Sequence, residues 1–128
     1  MSGRRYFLDT NAIIQLLAGN QSLLVLLNQA DYVATSIICE LEFHSFSNLP
    51  DEDRELFLKF REHVQIVDLC STDNKLKEQI YKIRTDKQLK LPDAVVVASA
   101  IIEDCILITA DKKLLSVSDL NVESYPLQ

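Results

Sequence analysis

The chain is expected to fold as an α/β protein with a parallel sheet and helices on both of its faces. Two observations carry that expectation. Short apolar runs alternate with longer runs of helical pattern along the whole sequence, the order that builds parallel sheets from crossover units. Several of the short runs also end in Asp, Asn, Ser or Thr, residues that start helices, as in Leu8-Asp9-Thr10-Asn11, Ala34-Thr35-Ser36 and Thr109-Ala110-Asp111.

The first strand is Tyr6–Leu8, ending at Asp9. A helix starting at Thr10 or Asn11 carries the apolar run Ala12–Ala18 and stops at Gly19-Asn20, a good C-terminal signal. The next helix, Gln21–Gln29, is apolar nearly all round through Leu23–Leu27, which implies burial on two sides or a partner surface. Tyr32-Val33-Ala34 reads as a short buried strand, and Thr35 or Ser36 can cap the helix Ile37–Phe46. The turn Asn48-Leu49-Pro50-Asp51 places Asp51 to cap a helix from Glu52 to His63. Gln65–Leu69 is the third strand. Ser71-Thr72-Asp73 opens a helix to Asp86. Pro92 sits in the first turn of Pro92–Glu103, a favoured proline position. Cys105–Thr109 is the fourth strand, Lys112–Ser116 a short helix, and Asn121–Ser124 a last edge strand.

The 128 residues suit one domain spanning 1–128, and such a length buries a core without staples. With 48% hydrophobic residues, two Gly and three Pro, the composition is that of a folded globular chain. No apolar run reaches membrane-span length, and the N-terminal apolar stretch is broken by Asp9, unlike a signal peptide. Cys39, Cys70 and Cys105 form no C-x-x-C pair and lie in or beside apolar segments, so they read as buried thiols of a reducing cytoplasm. His44 and His63 lack zinc-type spacing. The net charge of −6 argues against gripping nucleic acid by bulk charge, but acids gathered around a metal are partly neutralised by it.

Among 19 acidic residues, position selects. An unpaired carboxylate is costly to bury, so acids on apolar faces at element ends stand out. Asp9 is one, with a helix cap as its plain alternative. Glu40 and Glu42 lie on opposite sides of a helix. Glu40 has Ser36 and His44 four residues away, whereas Glu42 has Ile38 and Phe46, so Glu42 is the acid on the apolar side. Asp93 opens a helix that is apolar on every side, Ala94–Ile102, and therefore central; its alternative is service to the helix dipole. Asp111 follows a strand end as Asp9 does, and it too can be a cap. All four fall on the edge where strand carboxyl ends and helix amino ends meet. Two unit charges roughly 6 Å apart at an effective dielectric near 20 repel by about 3 kcal/mol. Four together call for protonation or a bound cation, and oxygen-only ligation suits Mg²⁺ or Mn²⁺.

These residues carry a family resemblance. Leu8-Asp9-Thr10-Asn11, Ser36 followed by Glu42-Phe43, Leu91-Pro92-Asp93-Ala94 opening an Ala-rich apolar helix, and Leu107-Ile108-Thr109-Ala110-Asp111, in this order, resemble the PIN-domain nucleases. More narrowly, they resemble the VapC-type toxins of bacterial toxin–antitoxin pairs. The resemblance spans essentially the whole chain. It implies a three-layer α/β/α sandwich with a parallel sheet of four or five strands. It implies that Asp9, Glu42, Asp93 and Asp111 form an acidic site for one or two Mg²⁺ or Mn²⁺ ions, supported by Thr10, Asn11 and Thr109. It implies hydrolysis of RNA phosphodiester bonds to 5′-phosphate and 3′-hydroxyl ends, a cognate antitoxin covering the site and the helices near Leu16–Leu27, and a homodimer. Some members carry a further acid three residues past the position of Asp111. Here Leu114 stands there.

The cations Lys75, Lys77, Lys82, Arg84, Lys87 and Lys90 lead into Asp93, with Lys112 and Lys113 after Asp111 and Arg4 and Arg5 near the first strand. They form either a basic rim for a polyanion or ordinary solvated helix faces. Two other functions are open to this sequence. A catalytically weak PIN fold that binds RNA or protein is one, supported by Leu114. A phosphatase with an aspartyl nucleophile is the other, although that chemistry wants a second acid where Asn11 stands.

Overall fold

A computed structural model describes residues 3–117 and 120–127. The five strands are β1 (Arg5–Leu8), β2 (Tyr32–Ser36), β3 (Gln65–Val67), β4 (Ile106–Ile108) and β5 (Val122–Glu123). The helices are α1 (Thr10–Leu17), α2 (Gln21–Asn28), α3 (Ile37–His44), α4 (Asp51–Arg61), α5 (Asn74–Lys87), α6 (Leu91–Ile102) and α7 (Lys112–Leu115). All strand pairs are parallel, in the order β3-β2-β1-β4-β5. The result is the five-stranded parallel sheet between helical layers that the sequence led us to expect.

Burial explains the layout. Tyr6, Phe7 and Leu8 are all buried, as expected of a central parallel strand covered on both faces. Helix α6 is buried continuously from Ala94 to Ala100; its Ala and Val side chains let neighbouring elements approach closely. Phe43 of α3 stacks against Phe57 of α4 with ring centroids 4.8 Å apart, and Phe57 in turn meets Phe60 at 5.5 Å. This aromatic cluster fixes α3 against α4.

The register levels the strand ends. Leu8 pairs with Thr35 on one side and with Ile108 on the other. The residues just beyond, Asp9, Ser36 and Thr109, therefore emerge together. The chain lays β2 and β3 on one flank of β1 and then crosses to place β4 and β5 on the other. The crevice between β1 and β4 is thus the topological switch point, the place where open α/β sheets bind ligands.

Several local expectations need correction. Asp51 does not cap α4: Pro50 is the N-cap, with φ −62° and ψ 149° and no side-chain bond, and Asp51 joins Glu52 and Asp53 in the first turn. Proline is preset to that φ, and the three acids favour the helix dipole instead. Helix α3 ends at His44, two residues before Phe46, and β3 ends at Val67, two before Leu69. Cys70 is exposed, whereas Cys39 and Cys105 are buried; Cys70 lies past the shortened strand, where nothing covers it. On α2, Leu23 is buried and Leu24 and Val25 are exposed. No single helix of the described residues is long and apolar enough to cross a membrane.

Candidate active site

Asp9, Glu42, Asp93 and Asp111 line one open cavity of about 390 Å³, together with Thr10, Asn11, Ser45, Phe46, Val96 and Leu114. The acids come from the end of β1, from α3, from the first turn of α6 and from the residue before α7. Four separate stretches of chain thus deliver carboxylates to the switch point.

Asp9 is 7% exposed and both of its oxygens are engaged. Oδ1 accepts from the Ala12 backbone N–H at 2.8 Å, which makes Asp9 the N-cap of α1. The Thr109 hydroxyl donates to Oδ2. The two readings of Asp9 are therefore not exclusive: it caps α1 while facing the cavity. Burial pushes the Asp9 carboxyl above its ordinary pKa, the Thr109 and Ala12 bonds pull it back, and the charges of Asp111 and Asp93 push it further up. The net direction is upward.

Thr109, fully buried, ties two acids together. It donates to Asp9 and its hydroxyl accepts from the Asp111 N–H at 3.0 Å. Asp111 in turn caps α7, its Oδ1 accepting from Lys113 N at 2.9 Å. Asp93 is also shifted upward, first by burial, then by Asp111 and Glu42; Lys113 and Lys90 act in the opposite direction without cancelling the shift.

The two glutamates of α3 separate as their spacing requires. Glu40 pairs with Arg61 at 2.7 Å. Glu42 accepts from the Thr10 hydroxyl at 2.6 Å and faces the cavity. Glu42 is exposed at the rim and not buried on an apolar face. Its apolar surroundings are the cavity walls Phe46, Val96 and Leu114. Leu114, only 2% exposed, occupies the place of the absent fifth acid with an apolar wall.

Four of the basic residues fall into two groups. Lys90 and Lys113 act electrostatically on Asp93. Arg4 and Arg5 stand at the start of a parallel strand, the opposite edge of the sheet from the acids, and contribute nothing to a basic rim. Arg5 instead stacks over Tyr32 and bonds the Glu103 carbonyl.

The cavity donors are carboxylate, hydroxyl and amide oxygens, the chemistry of a hard divalent cation. Burial first, and the neighbouring carboxylates after it, raise Asp9 and Asp93, and a bound cation would favour the charged form of both. The ligand shell is not preformed: among the described residues, no three Asp, Glu, His or Cys side chains stand close enough to enclose an ion as placed. The apolar wall at Phe46 follows from its spacing to Glu42, whereas Ser45 and Val96 carry no chemical signal in the sequence beyond lying three residues after Glu42 and Asp93.

The PIN-domain family model matches residues 6–120. Among solved structures, the chain is similar to that of VapBC2 from Rickettsia felis bound to a promoter DNA fragment, with a TM-score of 0.80 and 21% identity over 95% of this chain and 99% of the other. It is similar to DNA-bound VapBC from Salmonella typhimurium, with a TM-score of 0.79 and 15% identity over 94% and 98% of the two chains. It is also similar to a toxin–antitoxin complex from Klebsiella pneumoniae, with a TM-score of 0.76 and 22% identity over 92% and 95%. Among curated proteins, none matches significantly.

Proposed function

The chain belongs to the PIN-domain family, and from that premise we propose that it is a metal-dependent endoribonuclease, the VapC-type toxin of a toxin–antitoxin pair. The observation that carries the reading is the convergence of Asp9, Glu42, Asp93 and Asp111 on one cavity at the switch point. A charge-rich cleft whose acids raise one another's pKa is a functional-site signature.

Asp9, Asp93 and Asp111 would hold Mg²⁺ or Mn²⁺, with Glu42 as a further ligand. When bound, such an ion supplies Lewis-acid activation of water and stabilises negative charge at phosphorus. The chain's own residues do the positioning. Thr109 and the α1 backbone hold the Asp9 carboxylate in a single orientation, leaving lone pairs on both oxygens. Thr10 holds Glu42 at the rim, where its carboxylate is placed to orient the attacking water and to take its proton. Water would add to phosphorus, the bond to the 3′ oxygen would break with that oxygen taking a proton from solvent, and the products would be a 5′-phosphate and a 3′-hydroxyl. Lys90 and Lys113, whose charges act on Asp93, would favour a phosphate backbone near it. No covalent enzyme intermediate is needed.

The solved structures of VapBC and of the toxin–antitoxin complex support a cognate antitoxin as partner for this chain. Leu24 and Val25 of α2, 43% and 59% exposed, are apolar surface such a partner would cover. A homodimer and a cytoplasmic setting belong to the same reading.

The test is cleavage of total RNA with Mn²⁺ and mapping of both new ends, run on wild type, Asp9→Asn and Asp93→Asn. Wild type is expected to cut and leave 5′-phosphates, and each variant to lose about 100-fold or more, the usual cost of a lost electrostatic contributor. Cleavage unchanged by both substitutions would sink the site. Absence of cleavage by wild type, with RNA binding retained, would favour a binding module, consistent with Leu114 in place of a further acid.

A further inference from the structure

We propose that a second cavity, beside the acidic one, holds a nucleobase of the RNA strand next to the bond that is cut. This rests on the ribonuclease reading above. The cavity has a volume of about 330 Å³ and is lined by Asn11, Ile14, Gln15, Ala110, Asp111 and Leu127. Pockets for small organic groups start at roughly 300 Å³. It shares Asn11 and Asp111 with the acidic cavity, so a strand crossing one meets the walls of the other.

The lining selects a base over a phosphate. Ile14, Ala110 and Leu127 offer apolar contact to a flat ring. Asn11 and Gln15 offer carboxamides to its edge, the combination by which unpaired bases are read. None of the lining residues is cationic, so the cavity offers nothing to draw a phosphate.

The polarity of the Gln15 amide is fixed by a buried neighbour. Asn20 is 2% exposed. Its Oδ1 accepts from the Leu23 N–H at 3.2 Å, and its Nδ2 donates to the Pro126 carbonyl at 2.9 Å. Both partners are backbone groups, so the two ends of the Asn20 amide are unambiguous. The same Nδ2 donates to Gln15 Oε1 at 3.3 Å. The oxygen of Gln15 is thereby turned toward Asn20, and its NH₂ is the end presented to a ligand. The cavity therefore suits a base that presents an acceptor, a carbonyl oxygen or a ring nitrogen. The Asn20–Pro126 bond also anchors the C-terminal segment, which brings Leu127, 65% exposed, to the cavity wall.

Two measurements on the full chain test the proposal. In the first, the four nucleoside 5′-monophosphates and, separately, ribose 5-phosphate are titrated while the Gln15 side-chain amide and the Ile14 methyl resonances are followed. Shifts with monophosphates and none with ribose 5-phosphate are expected. In the second, a randomised RNA pool is cut with Mn²⁺ and the new ends are sequenced for wild type and Gln15→Glu, which keeps an acceptor for Asn20 but loses the donor. A change of about tenfold in base preference beside the cut is expected, the size of a lost base-edge contact. Equal shifts with ribose 5-phosphate, absence of any shift, or an unchanged preference in Gln15→Glu each overturn the proposal. Monophosphate shifts at Gln15 in a protein that does not cut RNA leave the base pocket standing and remove the ribonuclease reading instead.

Discussion

The two edges of the sheet are both polar, and they treat charge in opposite ways. At the amino edge every charged group named here has a partner. The Arg4 N–H donates to Asp31 at 2.6 Å, and the Arg4 side chain donates to Gln29. The Arg5 guanidinium lies 4.0 Å over the Tyr32 ring and donates to the Glu103 carbonyl at 2.8 Å. The Tyr32 hydroxyl donates to the Glu103 carboxylate at 2.8 Å, and burial followed by that bond pushes its pKa up to about 12, so it stays a donor. Even Gly3, at φ +88°, is placed where a Cβ would collide with the Asp31 carboxyl. At the carboxyl edge, four carboxylates face one cavity and the nearby lysines do not balance them. A polar cluster that serves stability satisfies its charges. One that leaves a surplus of like charge is stabilised only by what it binds.

The contrast can be tested by perturbing each edge. The largest effect expected is from metal. Mn²⁺ at a hundredfold over its dissociation constant should raise stability by about 2.7 kcal/mol, read as a shift in thermal unfolding. Asp93→Asn should abolish that gain and, without metal, be no less stable than wild type. A metal shift that survives Asp93→Asn would place the ion elsewhere. Next in size is the amino edge: Tyr32→Phe should cost about 1 kcal/mol in urea unfolding, the scale of a hydrogen bond to a charged group that is partly exposed. RNA cleavage below the unfolding transition should be unaffected. A loss of cleavage there would show that the two edges are coupled.

The smallest effect is the pH response without metal. The Asp9 and Asp93 pKa values are raised above their ordinary value of 3.8. The folded state therefore binds protons at a pH where the unfolded state does not, and the sign of linkage is that their contribution to stability improves as pH falls through the raised folded values toward 3.8. Metal-free wild type should accordingly gain on Asp9→Asn as pH is lowered from neutrality through that window, by equilibrium unfolding at each pH. A constant difference between the two would mean that the Asp9 carboxyl is not raised on folding.

The order of strands and helices was legible because each apolar run changes period at a capping residue. The gathering of Asp9, Glu42, Asp93 and Asp111 was legible because parallel topology sends all four positions to one edge, and because Ile38 and Phe46 distinguish Glu42 from Glu40. What failed failed for identifiable reasons. Capping and facing the cavity looked like alternatives for Asp9, yet a carboxylate has two oxygens and Asp9 does both. Arg4 and Arg5 were close to Asp9 in sequence, but a strand's length puts them on the far edge. Asp51 lost the N-cap to Pro50. The C-terminal residues 124–127 carry no periodicity, so nothing in the sequence shows that Asn20 fastens Pro126.

The Thr109–Asp9 hydrogen bond joins residues 100 positions apart. Contacts of such separation form late, because the intervening chain must close first. On the ribosome, a chain that has emerged only as far as α6 holds Asp9, Glu42 and Asp93 but has neither Thr109 to orient Asp9 nor Asp111 to complete the cavity. A chain truncated before Thr109 is therefore expected to lose both the hydroxyl that orients Asp9 and, with Asp111, one of the four carboxylates of the cavity.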